Sequence, residues 1–426
     1  MGRIPYGRYL LGLLVVVLTC NYQERALTNL ALESIKTDLR LSDVQLGLVS
    51  GFGFALFYSV LGIQIARWAD ASDRVRLLGV TTALWGVMVA LCGAAGSFST
   101  LLLLRAGVGI GEAGCIPIAN SLISDHFERG ERPRALSVFM IGGWLSMITG
   151  YFLGGSLIER LGWRLAFVAL GLPGIPLAYL ALRTLHEPRK FRVSGLEDRL
   201  APTRGGGPPP TFRPMLAVLW SSRTFRHLLL AFCGLLLFAQ GIWQWQAVYL
   251  LRAFHVPVGE LGRALALAAG VPGVIGGILG GELAARWAPA NERLQLRGMA
   301  LAVAAFALIS ACVYLSSSLL EALVLLGVAT LGGATVNGPL FATVQAVVPT
   351  HLRASAIAII YLFANLIGMG LGPFIAGALS DAMRSWAGTD SLRIALLLLC
   401  PGYLLVSWLL WRGSRSVMKD IQLAAR

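Results

Sequence analysis

The chain of 426 residues is 56% hydrophobic and only 13% charged, yet carries a net charge of +14. A soluble domain has roughly a quarter of its residues charged, and a single soluble core stops growing well before this length, so a water-soluble globular protein is excluded. Most basic residues fall in short connections between apolar runs, which excludes the concentrated basic face of a nucleic-acid binder.

In chain order, apolar runs fall at about 8–33, 43–68, 76–97, 99–125, 133–158 and 164–184, then at 225–252, 259–287, 297–317, 321–348, 354–380 and 391–412. Each is close to the ~20 residues that cross a ~30 Å hydrocarbon layer as a helix. The 50 glycines sit largely inside these runs, which suits close helix packing in lipid and would be costly in soluble helices. The pattern predicts an all-α membrane protein of twelve transmembrane helices. The first run, from Tyr9 to about Cys20, lacks a small-residue cleavage pattern, so a removed signal peptide is not expected. The one long polar break carries Gly205-Gly206-Gly207-Pro208-Pro209-Pro210 between basic residues, which is linker chemistry. The expected organisation is a six-helix bundle over 1–186, a cytoplasmic linker over 187–224 and a second six-helix bundle over 225–426. Lys and Arg are enriched on the side of the termini and the linker, which orients both termini to the cytoplasm of a bacterial inner membrane.

The six cysteines lie in separate apolar runs with no Cys-x-x-Cys, so all six read as small buried hydrophobes. The five histidines fall at or near run ends, and no metal site is expected.

An internal repeat joins the two sets of runs. Arg67-Trp68-Ala69-Asp70-Ala71-Ser72-Asp73-Arg74 follows the second run, and Arg286-Trp287-Ala288-Pro289-Ala290-Asn291-Glu292-Arg293 follows the eighth, 219 residues later. The same offset carries Arg134-Ala135 onto Arg353-Ala354. Leu41-Ser42-Asp43-Val44-Gln45-Leu46-Gly47 echoes Val256-Pro257-Val258-Gly259-Glu260-Leu261-Gly262, each opening a helix, and Ser42 with Gln45 has capping-box spacing. Repeats of this kind are expected where two bundles rock about a site between them.

These residues resemble the major facilitator superfamily over nearly the whole chain. Gly62 through Arg76 is similar to that superfamily's signature loop, and Arg105-x-x-x-Gly109 to its second motif. Gly368, Gly372, Pro373 and Gly377 resemble a glycine-proline motif used at helix crossings. Within the superfamily the chain resembles the spinster-like family, through Asn21-Tyr22-Gln23-Glu24-Arg25, Leu41 to Leu48, Arg105 to Gly114, Ser121 to Asp125 and Trp163-Arg164-x-Ala166-Phe167. The family usually has Asp before the first-helix Arg, and this chain has Glu24, one methylene longer. The resemblance implies proton-linked movement of lysolipids or sphingolipid phosphates, with the first, fourth, seventh and tenth helices lining a central cavity.

Four ionisable residues fall at bilayer depth: Glu24 and Arg25 in the first helix, Arg105 and Glu112 in the fourth. Each costs ~2.5–3.5 kcal/mol on insertion scales, so such residues face a bundle interior or a wet cavity. Arg105 and Glu112 are two helical turns apart and share a face, whereas Glu24 and Arg25 diverge by about 100°. Burial favours the neutral acid and a neighbouring guanidinium favours the carboxylate. Glu24 and Glu112 are therefore the candidate protonation sites, and Arg25 and Arg105 the candidate holders of those carboxylates or of an anionic head group. The competing reading is a static salt-bridge lattice.

The second half offers no central charge. Its candidate cavity residues are Phe238, Gln240, Trp243, Gln244 and Trp245 in the seventh helix, Asn337 in the tenth, and Tyr361 and Asn365 in the eleventh, facing Tyr22 across the cavity. Asp70, Asp73, Arg74 and Arg134 are the candidate cytoplasmic gate, with Asp70 expected near the start of the eleventh helix. The glycines from Gly107 to Gly114 read as close packing, since they lie mid-membrane and lack a P-loop lysine.

The function expected is a proton-coupled secondary transporter of an amphipathic anionic lipid working by alternating access, sufficient as a monomer, with the proton as coupling ion and no other cofactor. A proton-coupled carrier of a small organic anion or drug is the alternative. A receptor or membrane enzyme is disfavoured by the lack of any nucleophile–base pair, metal-ligand spacing, nucleotide loop or soluble output domain.

Overall fold

The computed structural model describes residues 6–128, 130–188, 219–287, 291–349 and 352–424, and among them every regular element is helical. The first half comprises α1 (Tyr6–Leu39), α2 (43–71), α3 (Arg74–Cys92), α4 (98–126), α5 (132–161) and α6 (163–184). The second comprises α7 (Arg223–Phe254), α8 (258–287), α9 (Glu292–Leu315), α10 (Leu319–Val347), α11 (353–387) and α12 (391–424). Most of the expected linker, 189–218, lies outside the described residues.

Among the described residues, ten continuous stretches are long and apolar enough to span a membrane. Two of them, of 51 and 68 residues, would run roughly 75 and 100 Å as straight helices, far beyond one ~30 Å crossing. Each turns back once. Gly162 breaks the first at φ 79°, ψ 163°, a conformation open to glycine and strained for any other residue. The turn Gly388–Asp390 breaks the second. The ten stretches thus make twelve crossings.

The halves meet along α2 with α11, α5 with α8, and α1 with α7. Glycine sets the first two crossings. A Cβ on Gly47 would lie 2.9 Å from the Cα of Phe374, and one on Gly262 would lie 2.9 Å from the Cα of Gly155. Gly47 and Gly262 are equivalent positions of the internal repeat, so both crossings are built from one sequence device. The capping box that opens α2 is present: Ser42 Oγ accepts from the Gln45 N–H at 3.2 Å, and Gln45 Oε1 accepts from the Ser42 N–H at 3.0 Å. Beyond each of these glycines the helix widens into a π-helical segment, Leu48–Phe52 in α2 and Ala266–Gly270 in α8.

Inside the first half, Gly109 sits against the backbone of Phe54 and Tyr58, and Gly111 against that of Trp85, so the glycine run of α4 is a packing surface. The cysteines depart from expectation at two positions: Cys312 of α9 is exposed and Cys20 of α1 is half-buried. Lipid is as apolar as a core, so hydropathy alone does not separate a helix's inner side from its outer one.

Candidate substrate and coupling site

The four bilayer-depth charges come together as two ion pairs between α1 and α4. Arg105 Nη1 donates to Glu24 Oε2 at 2.5 Å, and Thr28 Oγ1 donates to the same oxygen at 3.1 Å. Arg25 donates to Glu112 Oε1 from Nε at 2.9 Å and from Nη2 at 2.5 Å. The divergence of Glu24 and Arg25 on one helix sends each to a different partner on the next. Glu24, Arg105 and Glu112 are buried, while the Arg25 side chain keeps 14% exposure and forms part of the cavity wall. Its guanidinium lies over the ring of Tyr22 at 4.2 Å and that of Phe54 at 5.1 Å. The Tyr22 and Tyr58 hydroxyls are hydrogen-bonded at 3.3 Å. Glu24 Oε1 and Glu112 Oε2 have no hydrogen-bond partner among the described residues, and neither does the buried amide of Asn21, one turn before Glu24. Each carboxylate therefore has one engaged oxygen and one without a hydrogen-bond partner among the described residues.

The cavity that Arg25 faces has a volume of about 270 Å³ and a mostly apolar wall from the second half, including Gln240, Trp243, Gln246, Phe306 and Tyr403. A second chamber of about 280 Å³ shares Gln240, Phe306, Thr330 and Tyr403 with it and extends to Trp144, Gly332 and Gly333. Gln244 reaches a small recess beside Arg25, Arg105 and Ser50.

Several expected cavity residues do not line these chambers. Phe238 faces α12, its ring 6.0 Å from that of Tyr403 and against Gly402. Trp245 is fully buried, and its Nε1 donates to Pro373 O at 2.9 Å. Positions 238 and 245 are seven apart on α7 and share a face turned from that of Gln240, so helical geometry sends the two sets to opposite sides. Tyr361 pairs with Phe232, ring centroids 6.3 Å apart, and Asn365 is half-buried at the start of a π-helical segment. The Asn337 side chain lies outside the described residues.

Of the expected gate residues, Asp73 and Arg74 make contacts on the first-half side. Asp73 caps α3, its Oδ1 accepting from the Arg76 N–H at 2.9 Å. Arg74 is fully buried, pairs with Glu187 and with Asp125 at 2.7 Å, and donates to Ser121 Oγ at 2.9 Å, all within the first half. Arg134 is exposed, and the Asp70 side chain lies outside the described residues.

A family model for the Major Facilitator Superfamily matches residues 14–373. The chain belongs to the Major Facilitator Superfamily. It is 32% identical to an MFS-type efflux pump of Mycolicibacterium smegmatis over 97% of this chain and 94% of that one. It is 30% identical to a probable sulfoacetate transporter of Cupriavidus necator over 71% of this chain and 70% of that one. Among solved structures it is similar to a bacterial homologue of the human lysosomal transporter Spinster in an inward-facing, occupied conformation. That match has a TM-score of 0.83 and 27% identity, covering 98% of this chain and 99% of that one. The family and fold are those of multi-pass membrane transporters, not of enzymes.

In this superfamily member the halves are locked at the end opposite the termini. Asp43, at the start of α2, is fully buried. Its carboxylate accepts from Arg252 of α7 at 3.0 and 3.1 Å, from Ser380 of α11 at 2.7 Å, and from Lys36 of α1. Arg252 Nε also donates to Glu33 at 2.8 Å. Asp381 of α11 accepts from the N–H groups of Asp43 and Val44 at 3.2 and 2.8 Å. Neither Lys36 nor Arg252 is among the candidate residues read from the sequence. Glu33 and Arg252 stand near the ends of α1 and α7, so the first helices of the two halves are joined there.

Proposed function

We propose that this transporter moves an amphipathic anion, of the lysophospholipid or sphingolipid-phosphate class, in a proton-coupled cycle of alternating access. The observation that carries the reading is Arg25: it faces the cavity, and its ion-pair partner Glu112 is buried behind it. Protonating Glu112 releases the guanidinium toward the cavity, where it binds a phosphate or carboxylate bidentately. Glu24 and Arg105 form the parallel pair one layer deeper. The aromatic and apolar wall of Trp243, Phe306 and Tyr403, continued into the second chamber, suits the chain of an amphiphile. The lipid class is what the spinster-like resemblance implies, and similarity to a Spinster homologue is consistent with that resemblance. The Lys and Arg distribution supports termini on the cytoplasmic side of a bacterial inner membrane, and one copy of the chain contains every residue the cycle uses.

Lysophospholipid binding to the purified protein across pH tests this. Affinity should rise as pH falls in wild type and stay high and flat in Glu112→Gln; an unchanged pH profile in the variant would refute the coupling. A second reading, export of drugs or carriage of small organic anions, is favoured by the efflux-pump and sulfoacetate-transporter relatives. A small anion needs Arg25 but not the aromatic wall, so indifference to Trp243→Ala would favour it.

A further inference from the structure

Outside the lock, on the face opposite the termini, lies a vestibule of about 440 Å³. Lys36, Arg252, His255 and Arg384 line it, and Glu33 is the acidic residue among its described lining. Arg384 and His255 are exposed; Arg384 stands in the last turn of the α11 helix and His255 caps α7 in the left-handed conformation. The floor of the vestibule is the lock itself. Ser391 lines it, its hydroxyl bonded to that of Ser380, which donates to Asp43.

We infer that this vestibule is an oxyanion-binding site, taking a phosphate or carboxylate group, and that its occupant competes with Asp43 and Glu33 for Arg252. Cations outnumber acids in the lining, and the exposed Arg384 offers the fork of donors that fits a two-oxygen anion. Arg252 has Nε on Glu33 and both terminal nitrogens on Asp43. Nη2 also lies 2.7 Å from Glu33, so both edges of the guanidinium that present two donors to a carboxylate are taken. An arriving oxyanion engages one of them with two oxygens only by displacing a resident carboxylate. Those carboxylates tie α1 and α2 to α7, so occupancy loosens the closed face. The site thus couples the arrival of an anion from that side to opening toward it, whichever substrate the central cavity takes. The oxyanion group could be that of a free anion or of a lipid head group.

The test is calorimetric titration of inorganic phosphate, with chloride as the ionic-strength control, into the full chain in phosphatidylcholine nanodiscs. Saturable binding is expected, at least tenfold weaker in Arg384→Gln. Because Glu33 and Asp43 compete for Arg252, Glu33→Gln and Asp43→Asn should each tighten it several-fold; the half-buried Glu33 keeps the test intact if Asp43→Asn does not fold. Phosphatidylglycerol nanodiscs separate the sources. Retention of that lipid in native mass spectra, lost in Arg384→Gln, identifies a head-group site, whereas an unaltered phosphate isotherm identifies a free-anion site. Absence of both phosphate binding and lipid retention overturns the inference. So does binding indifferent to Arg384→Gln, or weakened by Glu33→Gln.

Discussion

Replacing Asp43 by Asn should tip the conformational equilibrium toward opening on the face opposite the termini. Not every bond to this carboxylate counts. Lys36 and Asp43 belong to the same half, so their contact can survive opening, whereas those with Arg252 and Ser380 exist only while the halves touch. Breaking a fully buried ion pair from one side costs about 3–5 kcal/mol. Here the Arg252 side chain is 19% exposed and keeps Glu33 as a partner, which reduces the figure to about 2 kcal/mol, in the range of one charged hydrogen bond. That is about a 30-fold change in the ratio of closed to open, at roughly 1.4 kcal/mol per factor of ten. Spin labels at Thr37 in α1 and Glu260 in α8, both exposed and on opposite halves, report it by pulsed dipolar spectroscopy once the exposed Cys312 is replaced. The long-distance population should grow. Asp381→Asn, which keeps one acceptor oxygen for the two N–H groups, should shift it less, by about 1 kcal/mol. Identical distance distributions in wild type and Asp43→Asn would refute the assignment of this network as the lock.

Other outcomes follow from the same geometry. Gly47→Val and Gly262→Val should each block one inter-half crossing and slow transport while the folded halves survive, read as lost flux with little change in Tm; full flux would mean the crossings are not tight. Trp245→Ala should destabilise by about 3–5 kcal/mol, because it empties a buried indole site, and lower Tm. Trp243→Ala should leave Tm nearly unchanged and weaken binding of a long-chain substrate; the reverse pattern would misplace the cavity wall. Equilibrium binding should show anion affinity rising with acidity in wild type and pH-independent in Glu112→Gln.

How far the sequence carried the structure depends on how local each signal was. Helix number, the capping box at Ser42 and the repeat-matched glycines were legible because they act within one helix or one repeat unit. The clustering of the four bilayer-depth charges was legible in outline, since ions at bilayer depth have few places to go. On α7, hydropathy could not separate Trp243 from Trp245: both are aromatic, and only the turn of the helix sends one to the cavity and the other into Pro373. The lock at Asp43 was illegible for a related reason. Residues such as Lys36 and Arg252 look like ordinary loop charges until α2 and α7 are brought together, and one sequence holds no record of which connections meet. Buried Asn21, whose amide atoms have no hydrogen-bond partner among the described residues, entered only as part of the spinster-like string and not as a site residue, because a neutral amide in an apolar run carries no charge to flag it.

We propose that a proton gradient drives an amphipathic anion through this cavity by way of Glu24 and Glu112. Flux of labelled lysophospholipid into liposomes bearing the purified protein, with and without an imposed pH gradient, measures it directly. Gradient-dependent flux that disappears in both Glu24→Gln and Glu112→Gln is the expected result. Flux that ignores the gradient, or that persists unchanged in both variants, would contradict it.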